Sequence, residues 1–355
     1  MINSVYINGL GAISPQETFS SDSFLKNIID YNQKYLEILP PVYKEYIDPK
    51  ALRRMSKIVR MGVASGFMAL KQANIEIPDA INTGTGLGCQ ADTEKFLQTM
   101  IDNDEKLLNP SSFIQSTHNT IGGQIALALG CNNYNMAYVH RTFSFETALL
   151  DSMMMITEET AKNVLVGGVD EITEESYFIR AKIGHLKSEA EQSSEILNSK
   201  TIGALCGEGA AFAVVSDSKT ETSYCKIDGV SMFYKPVDTS EIIAKISSFL
   251  QEHNLTANDI DFVISGYNGD IEYDHIYRIV SEKMFEHSGL GMYKNLCGEY
   301  DTSSAFATWM AANILKLKEI PSEIIIKKPL NKVKRVLIYN QFHNVNHSII
   351  LLSEC

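Results

Sequence analysis

The chain has 355 residues, 45% of them hydrophobic and 21% charged, enough to bury a large core and, at that length, to form two structural halves rather than one. Its net charge of −12 and isoelectric point near 5.2 create a field that repels nucleic acid and anionic membrane, so neither is an expected partner. Six cysteines without a CxxC pair argue against a zinc centre or a disulfide framework and for a reducing cytoplasm, while the start MINSVYINGLGAIS lacks an export signal's order and no apolar run approaches the roughly 20 residues that span a bilayer.

Strand-length apolar stretches alternate with longer helical patterns, the order of an α/β protein whose sheets are covered by helices. Residues 5–12 are expected as a strand and 52–72 as a helix on which Arg53, Lys57 and Arg60 share a face. GTGLG at 84–88 lacks the third glycine of a dinucleotide loop and the lysine of a phosphate loop, leaving a tight turn. A helical pattern over 113–129 precedes a strand at 136–139, a helix at 145–156 and a buried strand at 164–169. A strand at 210–215 closes the first half, and the polar SDSKTETS at 216–223 is a surface crossing. The halves are therefore placed at 1–217 and 224–355.

The second half repeats the element order: strand 224–233, helix 240–251, strand 262–265, helices 273–285 and 302–316, then strands 335–339 and 347–352. Identity between the halves is too low to claim a repeat, so the two-half reading rests on element order. Asp270, Glu272 and Asp274 alternate as calcium ligands can, without the required glycine and glutamate, and are expected as a solvated acidic loop. His343 and His347 on a strand would stand about 13 Å apart, too far to share a metal. The methionines at 153–155 fit soft core packing. No metal and no cofactor is expected.

Four segments carry a resemblance to a known family. LCGEGA at 205–210, followed by AFAVV, resembles the segment that closes the first half of β-ketoacyl synthases, and VLVGGVDE at 164–171 resembles their strand and glycine turn after the nucleophile helix. DFVIS at 261–265 and KNLCG at 294–298 resemble the segments that carry the family's two active-site histidines. With the first strand and the basic helix the resemblance covers most of the chain. It implies a thiolase-like α/β fold, two similar halves forming a five-layer αβαβα sandwich, usually dimeric through the strand before the nucleophile.

Active members hold a cysteine where the amides and dipole of a buried helix stabilise thiolate and oxyanion. An ungapped count from VLVGGVDE puts Phe143 there, within YVHRTFSFE at 138–146. The first histidine position falls on Gly266 and the second on Glu299, an acid that reverses the electrostatics needed for decarboxylation. Where the family has a glycine-phenylalanine-glycine-glycine gate, QFHNVN at 341–346 keeps Phe342 and Asn346.

The resemblance thus implies a catalytically silent subunit akin to the chain-length factors of type II polyketide synthases, paired with an active ketosynthase and working with an acyl carrier protein. His140, Arg141, Phe143, Ser144 and Phe342 are the tunnel or interface candidates, and Arg53, Lys57 and Arg60 the carrier or partner contacts. The rival readings are an active condensing enzyme with Ser144 as nucleophile, aided by His140 or Glu146, and a stand-alone acyl-binding scaffold. Serine opening a helix is more often its cap.

Overall fold

The computed structural model describes residues 4–19, 24–106 and 108–355. Eleven strands among them form one mixed sheet: β1 (Val5–Ile13), β2 (Ala80–Gly84), β3 (Tyr134–Tyr138), β4 (Asn163–Asp170), β5 (Gly209–Ser216), β6 (Cys225–Tyr234), β7 (Phe262–Ser265), β8 (Gly289–Met292), β9 (Ile325–Lys327), β10 (Arg335–Phe342) and β11 (Asn346–Ser353). Their order is β9-β8-β7-β10-β11-β6-β1-β5-β4-β2-β3. Counted from each half's first strand, both halves run third, second, fourth, fifth, first, with β9 added at one edge. Both pair their second, third and fourth strands in parallel and the remainder antiparallel.

The first strands also share an irregularity: β1 bulges between Ile7 and Gly9, and β6 between Ile227 and Gly229. Where β1 meets β6, Val5 pairs with Ile227 and Ile7 with Cys225, a register that maps onto itself when the halves exchange. The repeat is therefore present in geometry although hidden in residue identity.

The principal helices are α1 (Lys57–Ala73), α2 (Gln90–Asp102), α3 (Thr120–Leu129), α4 (Ser144–Thr157), α5 (Glu174–Lys182), α6 (Thr239–Glu252), α7 (Asp274–Met284) and α8 (Ser303–Leu317). Strand side chains alternate between faces, and here both faces are buried. In β5, Ala211, Ala213 and Val215 point to the central core while Phe212 and Val214 point to an outer core with α1. In β10, Val336 and Ile338 face the centre while Leu337 and Tyr339 face α6 and α7. The central layer is α4 and α8; α8 is buried around its whole circumference from Ser303 to Leu315, as a helix between two sheets must be. The five-layer thiolase-like sandwich expected from the sequence is the observed fold.

Two expected helices differ. The pattern over 113–129 is split into Pro110–Gln115 and α3, because the hydroxyl of Thr120 bonds the Ile114 carbonyl and turns the chain between them. The expected helix at 52–72 begins only at Lys57, after a separate turn at Pro49–Leu52.

Candidate functional site

Equivalent strands of the two halves, β3 and β8, lead into the central helices α4 and α8, and the functional candidates gather at those two entries. Gly84 lets the start of α4 close on the end of β2: a Cβ there would lie 2.7 Å from the Phe145 nitrogen and the Ser144 carbonyl. Between β3 and α4 the chain makes a tight turn, Arg141–Phe143, with Arg141 at φ 51°. A non-glycine residue in that region is strained and marks an elbow that the surroundings impose.

At this elbow Phe143 is buried and meets the His140 ring edge-on at 5.6 Å. Thr142 accepts a hydrogen bond from Asn346 Nδ2 at 2.8 Å, which brings the retained asparagine of the C-terminal segment to the elbow. His140 and Arg141 are exposed, which corrects the expectation of a buried surrounding; Arg141 makes one long contact, 3.7 Å, to Asp301.

Ser144 is not the cap of α4. That place is taken by Phe143, which offers no side-chain cap, and the Ser144 hydroxyl bonds backwards instead. It accepts from the His140 amide at 2.8 Å and faces the carbonyls of Arg141 at 2.6 Å and Thr85 at 2.9 Å. The hydroxyl is fully buried, and His140 reaches it through the backbone rather than the imidazole. Glu146 Oε1 accepts from Ser348 Oγ at 2.7 Å. Burial pushes the Glu146 carboxyl up to about 6, opposed by the hydroxyls of Ser348 and Ser304.

In the second half Glu299 is not a free acid. Lys294 Nζ and Asn268 Nδ2 each donate to Glu299 Oε2 at 2.6 Å, and Lys294 also donates to Asn340 Oδ1 at 2.8 Å. Lys294 and Glu299 are both buried, so the acid's charge is neutralised where it stands and the expected reversal of electrostatics is cancelled by an amine the sequence reading had not enlisted. Gly266 has no room for a side chain: a Cβ would lie 2.4 Å from Asn340 Oδ1, 2.6 Å from the Tyr277 hydroxyl and 3.2 Å from Lys294 Nζ. Asp270 and Asp274 belong to the same network rather than to a solvated loop. Asp270 is buried, and Asp274 accepts from the amides of Asn268 and Gly269 at 3.2 and 2.8 Å. Burial raises the Asp274 carboxyl to about 7.

Phe342 lies at the end of β10, and His343 sits in the following turn rather than on a strand. His343 and Asn344, where the resemblance places glycines, hold φ of 51° and 53°, so glycine-like backbone geometry persists there without glycine. Arg53, Lys57 and Arg60 do not form one basic face. Lys57 turns inward to buried Glu208, Arg60 Nε bonds the Met55 carbonyl at 2.9 Å, and only Arg53, ahead of α1, is exposed. Glu208, the acid of the LCGEGA segment, also accepts from the amides of Ile38 and Ile172 at 3.1 and 3.0 Å, which identifies it as a structural junction.

Lys294, Asn340, Asn268 and the strained Arg141 were missed from sequence. The available signal was polarity inside apolar surroundings, as in KNLC at 294–297 and LIYNQ at 337–341. Chemically, the elbow offers an aromatic ring and a saturated hydroxyl, and the second half offers a compensated ion pair.

The family model for the β-ketoacyl synthase N-terminal domain matches residues 43–221. No curated protein matches significantly. Among solved structures, the ishigamide ketosynthase/chain length factor superposes with a TM-score of 0.82 at 15% identity over 100% of both chains. A β-ketoacyl synthase from Burkholderia phymatum does so with 0.80 at 15% identity, over 99% of this chain and 100% of that one. A ketosynthase in complex with its chain length factor from Xenorhabdus doucetiae gives 0.76 at 13% identity, over 99% and 98%. At such identities the structures share the fold, and with the family model spanning half the sequence the chain belongs to the β-ketoacyl synthase family.

Proposed function

We propose that this chain is a catalytically silent ketosynthase-like subunit of the chain-length-factor kind, which pairs with a cysteine-bearing β-ketoacyl synthase and works with an acyl carrier protein. The observation that carries the reading is the Lys294–Glu299 pair, which fills with a neutral, fully bonded unit the place where the resemblance calls for a histidine donor. Phe143 and Gly266 at the other two positions support it, since neither can accept an acyl group or donate a proton. The rival nucleophile, Ser144, is disfavoured because its hydroxyl is buried and meets backbone groups rather than a side-chain base.

Pairing is supported by β3, the last strand of the sheet, whose outer edge is unpaired among the described residues. Tyr134 and Met136 on it are exposed, as are Leu127 and Met154 on the flanking helices α3 and α4. An apolar surface around a free edge is open to a partner strand. His140 and Arg141 lie at the end of that edge and Phe143 just behind it, so they would meet the partner, with Phe143 shaping the floor of a shared tunnel. Arg53 remains as a carrier-protein contact.

Co-expression with a cysteine-bearing ketosynthase, followed by size-exclusion chromatography and native mass measurement, tests the assignment. A one-to-one complex is expected, and intact-mass analysis of the isolated chain after incubation with an acyl thioester should show no adduct. An adduct on Ser144 or on any cysteine would overturn the silent reading. In the complex, Phe143→Ala should lengthen or broaden the products while sparing assembly.

A further inference from the structure

Four rings from three separate segments meet beside the second-half network. His185 follows α5, Tyr273 precedes α7, and Phe342 and His343 belong to the turn between β10 and β11. Phe342 and His343 stack at 4.0 Å and 10°, His343 and Tyr273 at 4.8 Å and 11°, and His185 meets His343 edge-on at 4.4 Å and 82°. All four are half-buried, so the stack has one side in solvent.

Its other side continues into the polar centre through consecutive residues. The Gln341 amide donates to the Tyr277 hydroxyl at 2.9 Å, Gln341 Oε1 accepts from the Asn344 amide at 2.8 Å, and Asn340 holds Lys294. The turn keeps its stacking geometry at the expense of two successive non-glycine residues at positive φ, which persists only where surrounding contacts over-determine it. Burial lowers the pKa of both imidazoles, that of His343 to about 4, so the rings stack uncharged near neutrality although Arg180 and Lys294 lie close to His343.

We propose that this stack is an autoinhibitory plug: Tyr273 and His185 clamp the Phe342–His343 turn shut over the centre at Gly266 and Lys294, so that a flexible thioester arm cannot enter this chain. The proposal rests on the reading of a silent centre and adds that the centre is sealed as well as unreactive. A plug built from side chains of three segments opens when one ring is removed, whereas a mouth filled by core packing does not.

Native-state hydrogen exchange on the intact chain tests this, alone and with its partner ketosynthase. The reporters are the amides of Gly266, Gly269, Gln341 and Asn344, each bonded across this region. In the wild type they should exchange far more slowly than the exposed turn at 103–106, and Tyr273→Ala should accelerate them roughly tenfold or more while leaving the core amides of Leu165 and Val214 unchanged. If Tyr273→Ala accelerates the core equally, His343→Gly, which removes the ring and suits the positive φ, decides. Unprotected reporters in the wild type, or reporters unmoved by His343→Gly, would overturn the plug. An acyl adduct on a chain whose reporters stay protected would instead overturn the silent reading alone.

Discussion

The entries to α4 and α8 are equivalent places in the two halves, and they are built in opposite ways. Before α4 the chain is strained at Arg141, its charged residues are exposed, and the hydroxyl of Ser144 is spent on its own turn. Before α8 the chain carries a buried lysine and a buried glutamate bonded to each other and to asparagines from two further segments. The first entry lacks chemistry because of which residue stands there, and the second because its polar groups are already occupied. Losing a catalytic group thus leaves two different problems: an open elbow must be covered, and a buried polar centre must be satisfied.

The largest effect should come from breaking the occupied side. Lys294→Met leaves Glu299 buried without its counter-charge and is expected to destabilise the fold by about 3–5 kcal/mol, whereas the double change Lys294→Met with Glu299→Leu should recover most of that. Urea unfolding of both variants checks this, and equal losses would show that the pair is not a unit. Next in size, Gly266→Ala should cost about 1–3 kcal/mol, because its Cβ meets Asn340, Tyr277 and Lys294 at once. Gly266→His together with Phe143→Cys should therefore yield no condensing enzyme.

Glu146, behind the open elbow, sharpens the contrast through pH. Its carboxyl is raised by burial from 4.5 to about 6, so the folded state holds the proton where the unfolded state has released it. Stability from this group is full below about 4.5 and is lost as pH rises through about 6. Glu146→Gln should remove that decline, worth about 2 kcal/mol above pH 6 by the usual conversion. Thermal unfolding between pH 4 and 7 measures it, and parallel curves for both proteins would refute the assignment.

The same contrast explains what was legible beforehand. The strands were readable because both faces are buried, which gives β4, β5 and β10 nearly unbroken apolar runs, and α8 because it is apolar all round. The positions of Phe143, Gly266 and Glu299 followed from short segments close to them. The Lys294 network did not, since its members come together over separations such as the 46 residues between Lys294 and Asn340. Nor did the inward turn of Lys57: the spacing of Arg53, Lys57 and Arg60 suits a helix face, but the helix starts at Lys57 and Glu208 lies 151 positions downstream of it. The repeat was hidden because the halves share strand order and a bulge rather than side chains.

The smallest effect on stability should be the most informative about the open side. Arg141→Gly relieves a positive φ that an arginine adopts at a penalty of about 1 kcal/mol, and it gives up a 3.7 Å contact to Asp301 from a side chain that is 62% exposed, which contributes little. The variant should therefore be as stable as the wild type or up to about 1 kcal/mol more so. An arginine kept at a place where glycine would fold as well or better points to a use outside folding, and its position at the end of the free edge of β3 makes a partner's surface that use. Complex formation with the cysteine-bearing ketosynthase should then weaken in Arg141→Gly by about tenfold, as expected for losing one well-placed interfacial charge, while the chain's own unfolding midpoint holds or rises. If assembly is unchanged and stability falls, Arg141 belongs to the fold through Asp301, and the elbow resembles the second half more closely than its exposure indicates.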